Sequence, residues 1–173
     1  MKTLILVLTV FLTTPAGAQF HDSKFESIAQ LYGDEERGLR YYERGEYDRA
    51  FEYLSETATR GLKKSQYLLA FMFLKGQHVD KSILLGMSWL GVAAESGNEE
   101  WVNLYNRLYA SSNPAQQQMI DRKVEQYKRQ YGMQVMNVHC TEQPVTGSRR
   151  PEHRCLKTDG PAHEIFPVEL TLE

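Results

Sequence analysis

Residues 65–98 read SQYLLAFMFLKGQHVDKSILLGMSWLGVAAESGN and carry one complete helix-turn-helix unit. Its first part, residues 67–74, is apolar on every side, the composition of a helix packed between neighbours rather than laid on one core. Gly76 stops that helix and a polar loop, residues 77–81, follows. Beyond the loop, Ile83, Met87, Leu90 and Ala94 recur at the spacing that keeps side chains on one helix face. Gly97 closes the second helix.

A helical hairpin cannot bury both of its faces alone, so such a unit is expected to stack on copies of itself. The copies are visible. Tyr53, Ala58 and Gly61 recur as Trp89, Ala94 and Gly97, each displaced by 36 residues. Tyr42 and Gly45 recur as Phe73 and Gly76, displaced by 31, and the difference of five corresponds to a longer loop in the second copy. Residues 101–110 repeat residues 65–74 at a displacement of 36, which puts Tyr109 where Phe73 and Tyr42 fall.

At these residues the chain resembles the Sel-one-like repeats, a subclass of the tetratricopeptide type, over roughly residues 35–131. Gly38, Tyr41, Gly45, Tyr47, Ala50 and Leu54 of the first copy stand nearer the parent tetratricopeptide pattern. The second copy, with Gly76-x-x-Val79 and Trp89-x-x-x-Ala93-Ala94-x-x-Gly97, is similar to the Sel-one-like form. Ala70, His78, Ser82 and Gly86 depart from it, standing where the family usually has Gly, Gly, Asp and Ala. The resemblance implies a mainly α fold, a right-handed α-solenoid of about three helix-turn-helix repeats. It also implies an adaptor role in the cell envelope, with the first helices of successive repeats lining a concave binding surface.

Residues 1–18 carry one Lys, an apolar run over 4–12 and the small-residue stretch Ala16-Gly17-Ala18, the pattern of a secretory signal peptide cleaved near Ala18. The run is too short for the ~20 residues of a spanning helix, and no Cys follows the cleavage site to take a lipid. The expectation is export to the periplasm as a soluble protein, with a helical repeat domain over 19–132 and a separate module over 133–173. The full chain has 20 basic and 22 acidic residues, a balance that gives no electrostatic argument for nucleic acid. Cys140 and Cys155 form an even count which, in an oxidising compartment, favours one disulfide.

Residues 19–32 read as a capping helix, with Ser23 and Glu26 in capping-box spacing and Phe25, Ile28 and Leu31 as its apolar stripe. Gly33 is expected to end it and Asp34 to cap the next helix, residues 35–44, which is followed by a helix over 47–60. The last helix opens at Asn113-Pro114 and runs to Tyr131, with Ile120, Val124, Tyr127 and Tyr131 on one side and Gln117, Asp121, Lys123, Lys128 and Arg129 on the other. After Gly132 prolines become frequent, and residues 135–140 and 166–172 alternate apolar and polar types, so both read as short strands able to pair. Between them, Cys140…Thr146-Gly147-Ser148-Arg149…Cys155 is similar to an element of small exported proteobacterial proteins of unknown role.

Chemistry-bearing groups are few. His139, Cys140, His153 and Cys155 are of the kind that bind zinc, although their spacing fits a zinc site poorly and an exported chain oxidises its thiols. Arg149, Arg150, Arg154 and Lys157 form a basic cluster, a possible anion site or simply a solvated loop. No nucleophile elbow, phosphate-cradling loop or His-Glu-x-x-His helix is present. The expected function is therefore a non-enzymatic scaffold, without cofactor, that holds another envelope protein or peptide. The alternative is a protein that binds or hydrolyses peptidoglycan-related material. By the resemblance, the partner surface comprises Tyr42, Phe73 and Tyr109 with Leu39, Glu43, Ala70, Leu74, Asn106 and Ala110. The competing reading has the same aromatics packed between neighbouring helices.

Overall fold

The structure is a computed structural model, and it describes residues 28–144, 146–147, 152–158 and 166–171. The expected signal peptide, the start of the capping helix with Ser23, Phe25 and Glu26, and residues Arg149 and Arg150 lie outside the described residues. Among those described, six helices precede one hairpin: α1 (Ile28–Glu43), α2 (Tyr47–Thr59), α3 (Lys63–Lys75), α4 (Ile83–Ala94), α5 (Glu99–Ala110), α6 (Pro114–Tyr131), β1 (Val138–Gln143) and β2 (Glu152–Lys157). No helix among them is long and apolar enough to cross a membrane.

Local sequence accounts for most helix limits. Ser82 accepts the Leu85 amide and caps α4, so the serine does the work of the aspartate usual in the resembled repeats. Asn98 caps α5, and Asn113 with Gln116 forms a complete capping box at α6, with Pro114 at the first helical position. His78 takes a left-handed conformation, φ 69°, and its ring rests 5.2 Å from that of Phe51. A side chain in that conformation costs roughly 1–2 kcal/mol, which packing against Phe51 offsets.

Gly33 does not end a helix. It lies exposed within α1, which is continuous from Ile28, and Asp34 is not a cap but an interior residue paired with Arg37 at 2.8 Å. Glycine inside a helix costs about 1 kcal/mol relative to alanine, and the burial of Leu31 and the close packing of Gly38 on Leu54 in the turns around it offset that cost.

The helices pack in chain order, α1 on α2, α2 on α3 and α3 on α4, after which both α5 and α6 pack on α4. The terminal helix thus leans chiefly on α4 rather than on its chain neighbour α5. Gly91 permits this, because a Cβ there would stand 2.8 Å from Val124 of α6. Trp89, fully buried, stacks on Tyr131 at 4.7 Å and meets Tyr127 edge-on at 5.1 Å. The four residues of α6 that the core takes up are Ile120, Val124, Tyr127 and Tyr131, the stripe read from the sequence.

The hairpin differs from expectation. β1 pairs antiparallel with β2, with Cys140 opposite Cys155 and a disulfide joining them at 2.09 Å. Residues 166–171 form no strand. Instead they strap the helices: Tyr131 donates to Pro167 O at 2.9 Å, and Glu169 meets Lys123 at 2.7 Å and the Tyr127 hydroxyl at 3.1 Å. The alternation at 166–172 thus reflects a segment with Val168 turned to the core, not a ladder. The hairpin is no separate core either, since Met136 and Val138 belong to the helical one. Lys157, grouped above with solvated basic residues, is buried, its Nζ donates to Met136 O, and its amide donates to the Tyr32 hydroxyl at 2.8 Å.

Gly61 joins the two parts. It turns from α2 to α3 with φ 92°, and a Cβ there would stand 2.5 Å from the Met136 side chain. Gly61→Ala should therefore destabilise the protein by roughly 2–4 kcal/mol, combining left-handed strain with overpacking. Urea unfolding should show the midpoint falling, and an unchanged midpoint would mean the hairpin root is not held against this turn.

Candidate functional site

A cleft of about 280 Å³ opens between the helices and the hairpin. Glu35 and Lys63 lie in its floor, Lys64, Asn98 and Trp101 form the helical wall, and Glu152, His153, Arg154, Cys155 and Leu156 of β2 form the other. A larger hollow of about 380 Å³ lies between α2 and residues 166–170, but apart from Glu56 its lining offers no charged group, and nothing converges there chemically.

The cleft floor follows from how α3 begins. Its N-cap, Leu62, has no capping side chain, so the first-turn amides need another acceptor. Glu35 reaches across from α1 and supplies it, accepting from Ser65 N at 3.1 Å and Ser65 Oγ at 2.9 Å, with the Thr57 hydroxyl 2.7 Å from Ser65 Oγ. Burial raises the Glu35 pKa, and the bonds from Ser65 oppose that rise. Lys63, at the same turn, donates to Val92 O at 2.9 Å, Gln66 Oε1 at 3.0 Å and Glu95 Oε2 at 3.3 Å. Burial lowers its pKa to about 8 against the pull of Glu95. With its side chain only 1% exposed, the amine faces protein groups rather than the cleft opening.

The wall is aromatic and basic. Trp101 stacks on Tyr67 at 4.7 Å, and Tyr67 meets Phe71 at 4.9 Å, so half-exposed rings run along α3 and α5 away from the cleft. Lys64 and Arg154 are exposed at the rim, the latter paired with Glu152 at 3.1 Å.

The aromatics read from the repeat are placed differently. Phe73 and Ala70 are fully buried and offer nothing to a partner. Tyr42 is half-buried, donates to Gln77 at 3.0 Å and sits edge-on to Tyr47. Tyr109 donates to Asp121 at 2.9 Å and stacks on Tyr105, which pins α5 to α6. Leu39 and Leu74 are half-buried, and only Glu43, Asn106 and Ala110 are exposed. The structure therefore does not bring Tyr42, Phe73 and Tyr109 together as a surface. The rings that meet one another in a half-buried row are Tyr67, Phe71 and Trp101. The i, i+4 spacing of Tyr67 and Phe71 was visible, but a helix apolar on every side gives no polar face by which to orient it.

Of the basic cluster, Arg154 is ion-paired and Lys157 is buried, so the two described members of that cluster form no anion site. Of the zinc-type groups, Cys140 and Cys155 are joined, His153 Nε2 lies 3.9 Å from Cys155 Sγ, and His139 is exposed at the next register position to Cys140. Compared with known proteins, the chain matches no protein-family model, and no curated protein or solved structure is significantly similar to it.

The Glu35 arrangement fixes the sign of a pH effect. Because the folded pKa is raised above 4.5, the folded chain binds this proton more tightly than the unfolded chain does, and the group weakens the fold as pH rises from 4.5 through the folded value. Glu35→Gln keeps an acceptor for Ser65 without a buried charge. It should match or exceed the wild type at neutral pH and flatten the stability slope in weak acid, whereas Glu35→Ala should lose about 1–3 kcal/mol by orphaning the Ser65 amide. Urea midpoints across pH check this, and a Gln variant as damaged as the Ala variant would contradict it.

Proposed function

We propose that the protein is a non-enzymatic scaffold of the cell envelope that holds an extended segment of another protein along the Tyr67–Phe71–Trp101 face and into the cleft beneath the hairpin. One observation carries this reading: three large rings stay half-exposed in line with a basic-rimmed cleft, although Trp89, Tyr127 and Tyr131 already complete the core. Rigid aromatics offer large contact area at little entropic cost and dominate the energetics of interfaces. Lys64, exposed at the rim, suits an acidic segment or a terminal carboxylate.

The repeat resemblance supports the same role, with α1, α3 and α5 as the inner helices of a right-handed solenoid. Residues 1–18 as a signal peptide place the mature chain in the periplasm, and the Cys140–Cys155 disulfide is compatible with that oxidising compartment. Lys63 and Glu35, the buried ionisable groups of the cleft floor, are each held by hydrogen bonds that start α3.

Affinity capture from a crosslinked envelope extract should return one recurring partner. Trp101→Ala or Tyr67→Ala should weaken that capture by about 1–3 kcal/mol and move the melting temperature little. If both variants melt early while residual folded protein captures normally, the aromatic row is packing alone. Co-sedimentation with peptidoglycan, or release of soluble fragments from it, would instead favour the wall-binding or hydrolytic reading.

A further inference from the structure

Four soft donors converge on the disulfide. In a strand, residues two apart share a face, so His153 and Cys155 point the same way, and the register sets Cys140 directly opposite Cys155. One donor atom each from Cys140, His153 and Cys155 lies within 4.8 Å of the others. A fourth comes from outside the hairpin: Met133, just after α6, places its Sδ 3.9 Å from Cys140 Sγ, and Glu95 fixes Met133 by accepting its amide at 3.0 Å. His139, the sequence's other candidate ligand, is the neighbour of Cys140 in β1 and so belongs to the opposite face.

From this geometry we infer that reduction of the Cys140–Cys155 disulfide creates a binding site for copper(I), with the two thiolates, the Met133 thioether and the His153 imidazole as ligands. A tetrahedral metal with bonds of about 2.0–2.3 Å needs donors roughly 3.3–3.8 Å apart. The thioether and imidazole stand just beyond that range from their nearest sulfurs, both at 3.9 Å. The two sulfurs, bonded at 2.09 Å, must separate, and the other donors must draw in by a few tenths of an ångström or more. Met133 decides the metal, because thioether sulfur suits copper(I), while zinc sites draw on thiolate, imidazole and carboxylate.

The chemistry balances with a dithiol as reductant. The dithiol gives two electrons and two protons to the disulfide and closes into its own disulfide, leaving two cysteine thiols. Copper(I) then binds the two sulfurs and displaces both thiol protons to solvent, without changing its oxidation state. The same two sulfurs thus serve either as a covalent cross-link or as metal ligands. His153 and Cys155 also line the cleft, but the site does not depend on the scaffold reading, since it requires neither the aromatic row nor a bound partner.

The purified chain, reduced with a dithiol and freed of it without air, is titrated with acetonitrile-complexed copper(I) in competition with bicinchoninate. The reduced protein should take one copper per chain and the oxidised protein none. Met133→Leu, which conserves volume, should weaken copper(I) binding by about 10-fold or more and leave zinc(II) binding unchanged. His153→Gln should weaken both metals and His139→Gln neither. X-ray absorption on the copper-loaded wild type should show three sulfurs and one nitrogen, a readout that needs no variant to fold. Two sulfurs alone around copper, no uptake by the reduced chain, or equal affinity of wild type, Met133→Leu and His153→Gln would overturn the site.

Discussion

Three helix C-termini meet the start of α3 at one buried polar seam. Lys63 donates to Val92 O at the end of α4, and Gln66 donates to Ala58 O at the end of α2, 3.0 Å, and to Tyr131 O at the end of α6, 2.9 Å. Carbonyls in the last turn of a helix lack the regular partner one turn on; Ala58 O and Val92 O accept only from the capping turn that follows, Gly61 N at 3.0 Å and Glu95 N at 3.3 Å, and the side chains of α3 add a second donor to each. The cation of Lys63 also sits where the α4 dipole favours positive charge. A buried ammonium is expensive, and its lowered pKa records the expense, but removing it would leave the Glu95 carboxylate without its cation and the Gln66 amide oxygen without this donor.

The hairpin hangs from the same seam. Glu95 accepts both Lys63 Nζ and the Met133 amide, so the residue that balances the buried charge also sets where the chain leaves α6. From there Met136 closes against Gly61, Val138 enters the core, and Lys157 returns to Tyr32 of α1. The cleft is the space left between two walls fixed in this way, and its aromatic wall continues along α3 and α5 through half-buried rings, of which Tyr67 also packs against the core. Recognition by such a site would draw on rings already held in place by stacking, as Tyr67 and Trp101 hold each other.

Much of the helical order was legible because it rests on local chemistry. Ser82, Asn98 and Asn113 cap where caps were needed, and the α6 stripe is buried residue for residue. What the sequence hid is tertiary. Gly33 reads as a stop, yet burial on either side of it carries α1 through. β2 was read as loop because its inward residues are His153, Cys155 and Lys157, none of them an apolar signal. Residues 166–171 alternate like a strand but answer to α6. Of Tyr42, Phe73 and Tyr109, read as one surface, Phe73 is fully buried, since periodicity shows which residues share a face and not which neighbour that face meets.

The claim on which this account rests most is that the start of α3 locks the helices and the hairpin into one cooperative unit. Native-state hydrogen exchange on Gln66→Leu tests it most directly, because that change removes both carbonyl bonds while keeping side-chain volume. The account predicts that protection falls together in α3, in the last turns of α2 and α6, and in β1 and β2. Loss confined to the first turn of α3, with the hairpin as protected as in the wild type, would contradict it.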